Sequence, residues 1–415
     1  MLALVAIGFP VSFSLGISSL VFFLDHNLSF ITYAQQFAVS LDNFSLMAAP
    51  LFILVGELLN GSGITEKIFR FANSIVGHLP GGLGHVNVLA STIFAGMSGT
   101  AIADAAGLGP IEIKAMTDNG YDKEFSTAVT AASSIIGPII PPSTIMVVYG
   151  VTAGVSVGAL FMGGVIPGII IALLEMCLVW YYSKKRHYPR NDKFSWKRLF
   201  VSLKDSIWAL LCPLVIIGGI LGGVFTPTEA GAVASLYSLL VSLFAYRSLS
   251  LKDLPQILWR TALTSGVVLV IVATASIFGW CLTFAKVPQL VASALSSLTS
   301  SKIVMMLILS VIYLFLGCIM EASAIVLTTV PILLPVLKIL HIDLVYFGVI
   351  VALLMSIGTI TPPVGTVLFI LSKVTGMSIE RITKELLPWY GVLIIVILIL
   401  IFVPQTITWL PSIVG

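Results

Sequence analysis

Two stretches decide the reading of this chain: FAGMSGTAIADAAGLGPI, Phe94–Ile111, and FLGCIMEASAIVLTTVPI, Phe315–Ile332. They lie 221 positions apart. At the same offset IGPIIPPS from Ile136 meets IGTITPPV from Ile357, and Pro167 meets Pro388. Gly96 thus pairs with Gly317, Pro110 with Pro331, Gly137 with Gly358, and Pro141-Pro142 with Pro362-Pro363. Chance produces matches of Leu and Val in apolar sequence. It does not readily place glycines and prolines in one register.

Around these stretches the chain is apolar throughout. Of 415 residues, 58% are hydrophobic and 9% charged, with a mean hydropathy of +1.10. Soluble domains carry about 25% charged residues. So few charges cannot cover a globule of this size, and apolar runs of about 20 residues mark membrane spans. A cleaved leader would give one such run near the start. The net charge of +3 suits membrane orientation rather than nucleic-acid binding. Cys177, Cys212, Cys281 and Cys318 sit in apolar runs without metal-ligand spacing, as small buried hydrophobes do.

Full spans are expected at 2–23, 44–60, 124–148, 155–182, 205–225, 228–246, 261–285, 344–371 and 386–412. Apolar stretches 84–116 and 303–338 are interrupted by small or polar residues and read as helical hairpins that enter and leave on one side. Amphipathic segments 64–80 and 287–299 read as interfacial arms. With the N-terminus inside, 18 of the 21 Lys and Arg fall in inside loops, as the positive-inside rule asks. Nine crossings put the C-terminus outside. Segment 183–204 reads as a basic inside loop with snorkelling side chains.

The expected class is an all-α polytopic membrane protein of two inverted repeats, each with a re-entrant hairpin and a broken transmembrane helix. The expected units are an N-terminal scaffold helix and loop (1–43), a first repeat (44–182; hairpin 84–116, broken helix 124–148), a loop with two connecting scaffold helices (183–260), and a second repeat (261–415; hairpin 303–338, broken helix 344–371). An odd number of crossings between equivalent spans inverts the second copy, the plan of many secondary transporters.

In hydrocarbon an unpaired backbone group costs several kcal/mol. The Gly-Pro and Pro-Pro breaks are therefore tolerated only where they are packed or line a site. A plain proline kink would explain one break. Two, each following a hairpin with a glycine in its tip, point to freed carbonyls that suit Na⁺ and helix N-termini that suit an anion. The tips are Gly96–Thr100 and Gly317–Glu321. Thr100 and Glu321 are repeat partners and are expected to face the centre with Ser143. Glu321, an intramembrane carboxylate, has three readings: substrate hydrogen bonds, proton carriage, or satisfaction by its own tip. Asp104 reads as a cap or dipole-compensating carboxylate at a helix start, or as a substrate contact. Glu57 and Glu175 are expected to be structurally paired.

At GHLPGGLGHVNVLASTIFAGMSGTAIADAAGLG, IIGPIIPPS, FTPTEAGAV (Phe225–Val233) and TPPVGTVLF the chain resembles the large membrane subunit of tripartite ATP-independent periplasmic (TRAP) transporters. The resemblance covers essentially the whole chain. It implies an elevator mechanism of the ion-transporter-superfamily type, driven by Na⁺, in the bacterial inner membrane. It implies a small four-helix membrane partner and a periplasmic binding protein that delivers an organic acid such as sialic acid or a C4-dicarboxylate. By the same resemblance one Na⁺ site maps to Ser98, Gly137, Ile140 and Pro142, and a second to Gly317, Gly358, Thr361 and Val364. The family often has Asp where Glu321 stands.

Other classes fit less well. A stand-alone H⁺- or Na⁺-coupled divalent-anion carrier remains open. An intramembrane enzyme needs a paired catalytic constellation such as HExxH, GxSxG with a histidine, or two nearby carboxylates at helical spacing, and the sequence has none. A channel would need repeated pore-lining polar residues.

Overall fold

The computed structural model describes residues 1, 4, 7–60, 63–190 and 193–414. The opening residues of the first expected span, 61–62 of the first repeat unit, 191–192 of the basic loop and the last residue lie outside these. All regular structure among the described residues is helical. In chain order the helices are α1 (Val11–Asp25), α2 (Phe30–Leu41), α3 (Ala48–Asn60), α4 (Ile64–Val76), α5 (Gly82–Ser98), α6 (Ala101–Gly107), α7 (Gly109–Asp118), α8 (Lys123–Ser134), α9 (Thr144–Ala153) and α10 (Val157–Lys185). They continue as α11 (Trp196–Leu221), α12 (Pro227–Leu240), α13 (Leu254–Phe284), α14 (Val287–Leu298), α15 (Lys302–Gly317), α16 (Ala322–Ile339), α17 (Leu344–Thr359), α18 (Thr366–Thr375), α19 (Ile379–Phe402) and α20 (Gln405–Val414).

Six described helices are long and apolar enough to cross a bilayer: α10, α11, α12 with its π-helical extension to Ala245, α13, α16 and α19. At about 1.5 Å per residue, the 29 residues of α10 exceed the ~30 Å hydrocarbon core. Three of the expected spans are interrupted. The 124–148 segment is α8 and α9, separated by nine non-helical residues. The 344–371 segment is α17 and α18, separated by 360–365. The 386–412 segment is interrupted at Val403-Pro404, where proline removes a donor and the chain turns.

Two expectations are corrected. The N-terminal loop before residue 43 contains α2, capped by Ser29, whose Oγ accepts from Ile31 N; α2 and the following helix bend by 57°. The expected loop 183–204 is shorter, because α10 runs to Lys185 and α11 starts at Trp196. Lysine ammoniums there lie over aromatic rings, Lys184 on Trp180 at 3.8 Å. Their stems extend the helix while the charges reach outward. Among the hairpin arms, α16 is 18 residues long and could by length alone cross the bilayer.

Helix ends are fixed by side chains. Thr226 and Glu229 form a capping box on α12. Ser143, Asp343 and Ser378 cap α9, α17 and α19. Such caps stabilise a helix by about 1 kcal/mol each. The core joins both halves of the chain. Tyr149 donates to the Leu344 carbonyl at 2.7 Å, and its ring occupies the space left by the missing side chain of Gly348. At the start of α8, the Arg186 guanidinium holds Asp122 (3.3 Å) and Glu385 of α19 (2.5 Å), while Arg381 pairs with Glu124. Tyr188 also donates to Asp122 at 2.5 Å. Burial opposes the charge on Arg186, but Tyr188 and Glu385 outweigh it and hold the guanidinium above its ordinary range.

Candidate functional site

The first tip closes on the first helix break. Gly99, at φ +65°, is left-handed, and a Cβ there would lie 2.6 Å from the Pro142 carbonyl oxygen. Only glycine satisfies both the conformation and the approach. A Cβ on Gly137 would lie 3.0 Å from the Thr100 carbonyl oxygen. Ser98, Gly137 and Pro142 are thus brought into one contact zone. Ile140 lies in the same loop, with its side chain packed on Gly168 of α10. Ser98 is 2% exposed, and its hydroxyl has no hydrogen-bond partner. A buried hydroxyl left unpaired costs about 1–3 kcal/mol.

The second tip closes on the second break in the same way. A Cβ on Gly358 would lie 2.5 Å from the Gly317 carbonyl oxygen. Val364 N donates to the Cys318 carbonyl at 3.1 Å. Thr361 Oγ1 donates to the Ile357 carbonyl at 2.7 Å, and Tyr390 of α19 donates to the Ile360 carbonyl at 2.6 Å. Gly317, Gly358, Thr361 and Val364 therefore share one neighbourhood. The two zones differ in exposure. The first is buried, whereas Glu321, Pro363 and Val364 are exposed.

The residues expected to meet substrate act as helix caps. Thr100 Oγ1 accepts from Ala103 N at 3.1 Å. Its repeat partner Glu321 accepts from Ala324 N at 3.0 Å and from the Ser323 hydroxyl at 3.0 Å. Both sit at N-caps three residues before the donor, so position 100 and position 321 do the same local job. Glu321, being exposed, retains lone pairs toward the outside. Ser143 is fully buried and engaged at both ends: it donates to the Pro138 carbonyl at 2.6 Å and accepts from Met146 N at 3.3 Å. In this conformation its hydroxyl is committed to the α9 cap. At the equivalent cap of α18, Gly365 offers no side chain.

Asp104 stands in the first turn of α6, whose N-cap is Thr100. It is buried inside the first hairpin, where its Oδ2 and the Ser91 Oγ of α5 share a hydrogen bond at 2.9 Å. Glu175 is 1% exposed with neither carboxylate oxygen bonded; the expected structural pairing is absent there. Sequence reading missed the polar cross-links from α5 to α8, Asn87 to Thr130 at 2.7 Å and Ser133 to Asn87 at 2.8 Å. The signal was present: Asn87 and Ser91, and Thr130 and Ser133, are spaced to share a helix face.

Interrupted apolar helices whose glycine tips abut broken helix ends define a class, the polytopic membrane permease. The particular family follows from comparison with known proteins. Residues 1–406 match the family described as the tripartite ATP-independent periplasmic transporter, DctM component, and the chain belongs to that family, as a large permease subunit. It is 43% identical over 412 residues to the sialic acid TRAP transporter large permease protein SiaM of Vibrio cholerae, covering 99% of this chain and 96% of that one. It is 34% identical to the C4-dicarboxylate TRAP transporter large permease protein DctM of the same organism, covering 99% and 96%. These relatives are permeases, not enzymes. Among solved structures, the YdaH transporter of Alcanivorax borkumensis superposes with a TM-score of 0.65 at 16% identity, over 90% of this chain and 88% of that one. That likeness concerns the fold alone.

Proposed function

We propose that this large permease subunit takes up an organic acid by Na⁺-coupled secondary transport. The supporting observation is the doubled contact of a glycine tip with a helix break, at Gly99–Pro142 and at Gly317–Gly358. Each contact gathers backbone carbonyls, the hard oxygen donors a small cation takes. Ser98, Gly137, Ile140 and Pro142 would hold one Na⁺, and Gly317, Gly358, Thr361 and Val364 a second. Between the zones, Thr100, Glu321 and the helix N-termini would face the anion, with Ser143 holding the α9 end in place.

The 221-residue register and the paired breaks support an inverted repeat (44–182 and 261–415). The hairpins and broken helices would form a mobile domain, carried past a scaffold of 1–43, 183–260 and the arms by an elevator movement. The names of the relatives support sialic acid or a C4-dicarboxylate as cargo. Their description as large permeases of tripartite periplasmic transporters supports a small membrane subunit and a periplasmic binding protein as partners, in the bacterial inner membrane. The N-terminus would lie inside and the C-terminus outside.

A thermal-shift screen of the purified complex against sialic acid, succinate and keto acids, with and without Na⁺, tests the reading. Stabilisation by one acid class that grows with Na⁺ is expected. Stabilisation indifferent to Na⁺ would refute the coupling.

A further inference from the structure

A chain of five hydrogen-bond links runs through the interior of the first hairpin and into the broken helix. Asp104 Oδ2 and Ser91 Oγ are 2.9 Å apart, and Ser91 Oγ and Ser133 Oγ 3.1 Å. Ser133 Oγ reaches Asn87 Oδ1 at 2.8 Å. Asn87 Nδ2 reaches Thr130 Oγ1 at 2.7 Å, and Thr130 Oγ1 lies 3.4 Å from Glu112 Oε2. All six side chains are buried, with Asp104 at 1% and Glu112 at 0% exposure. No basic side chain pairs with either carboxylate among the described residues.

Each link needs one hydrogen. A hydroxyl carries one, and an ionised carboxylate carries none. Ser91, Ser133 and Thr130 supply three hydrogens. The Asn87 amide supplies one, toward Thr130. Four hydrogens serve five links, so one proton is missing from the neutral groups.

Where it sits follows from the amide. The second Asn87 N–H points to Met116 Sδ at 3.8 Å, a weak acceptor that would face a carbonyl oxygen if the amide were reversed. With the amide so oriented, Ser133 donates to Asn87, Thr130 donates to Glu112, and Ser91 donates to Ser133. The Asp104–Ser91 link then takes its hydrogen from Asp104. We infer that this chain is a proton-binding site, with one proton held on the Asp104 carboxyl group inside the first hairpin.

The site joins four pieces of the first repeat unit: α5 through Asn87 and Ser91, α6 through Asp104, α7 through Glu112, and α8 through Thr130 and Ser133. The same pieces carry the Ser98–Thr100 tip and lead into the Gly137 break. A bound proton removes one negative charge from a buried region that has no counter-ion, where an unpaired charge is expensive. Of the titratable groups on the packed elements, Glu175 of α10 is within electrostatic reach of Asp104. His85 of α5, Glu57 of α3, Lys114 of α7 and Lys373 of α18 form no hydrogen bond with the chain. The inference rests on hydrogen-bond geometry and not on the sodium reading, and its failure would leave that reading intact.

Infrared spectroscopy of the purified complex at neutral pH tests it. Wild type minus Asp104→Asn should show the carbonyl stretch of a protonated carboxylic acid, shifting in D₂O. If Asp104→Asn does not fold, wild-type protein labelled with ¹³C at the aspartate side-chain carboxyl should show that same band displaced by the isotope. A difference made only of carboxylate bands, or an acid band untouched by aspartate labelling, would overturn the proposal. An acid band lost in Glu112→Gln and retained in Asp104→Asn would overturn the placement of the proton.

Discussion

Gly358→Ala separates the tip-on-break account from a general role in helix flexibility. Gly358 lies in α17, where alanine is favoured over glycine by about 1 kcal/mol. Propensity alone therefore predicts a more stable protein. Packing predicts the opposite. The new Cβ would lie 2.5 Å from the Gly317 carbonyl oxygen, 2.6 Å from its carbon and 2.8 Å from its Cα. These are backbone atoms of the opposing tip and cannot rotate away. Restoring an ordinary contact of 3.4 Å requires the tip to retreat by roughly 0.9 Å. Overpacking of this kind costs about 1–3 kcal/mol. Gly391→Ala in α19 is the matched control, because nothing lies within 4 Å of its Cβ position and it gains the propensity term alone. Both variants would be purified with the partner subunit and melted across a NaCl titration at constant ionic strength. Gly391→Ala should melt at or above the wild-type temperature. Gly358→Ala should melt lower and lose Na⁺ affinity by about tenfold or more, some 1.4 kcal/mol. If both variants melt alike and titrate with Na⁺ like the wild type, the close approach of tip and break has no bearing on ion binding.

Further outcomes follow from the same contacts. Ser98→Ala removes an unpaired buried hydroxyl, so the Na⁺-free protein should gain about 1 kcal/mol while Na⁺ stabilises it less, as read by melting with and without Na⁺. Glu321→Ala removes an exposed N-cap and should lower stability by about 1 kcal/mol or less, yet reduce uptake much more; uptake that falls only in proportion to folded protein would leave Glu321 a cap alone. A double-mutant cycle of Arg186→Met and Glu385→Gln should give a coupling of about 0.5–3 kcal/mol, because the 2.5 Å pair ties α10 to α19; independent effects would contradict that tie.

The breaks at 135–143 and 360–365 were legible because proline and glycine state their backbone consequences directly, and the repeat register located both. Hairpin arms were legible to within a few residues, 84–116 against a start at Gly82 and an end at Asp118. Helix α2 escaped because Gln35, Gln36 and flanking polar residues interrupt its apolar pattern, although Ser29 is a recognisable cap. The start of α11 escaped because Lys197, Arg198 and Lys204 look like loop when only charge is weighed. The Asp104–Glu112 chain escaped for a different reason. Its polar residues are single substitutions within apolar runs, and only the packing of α5 on α8 brings them together. The engagement of Ser143 with the Pro138 carbonyl is local, five residues back in the same break, but is set by the turn the broken chain takes there.

Uptake into proteoliposomes holding this chain and the proposed small partner subunit, supplied with an acid-loaded binding protein, decides whether transport is coupled to Na⁺. Accumulation is expected under an inward Na⁺ gradient, with little or none when choline replaces Na⁺ outside or the binding protein is omitted. Equal uptake without the Na⁺ gradient, driven instead by a pH gradient or by this chain alone, would contradict it.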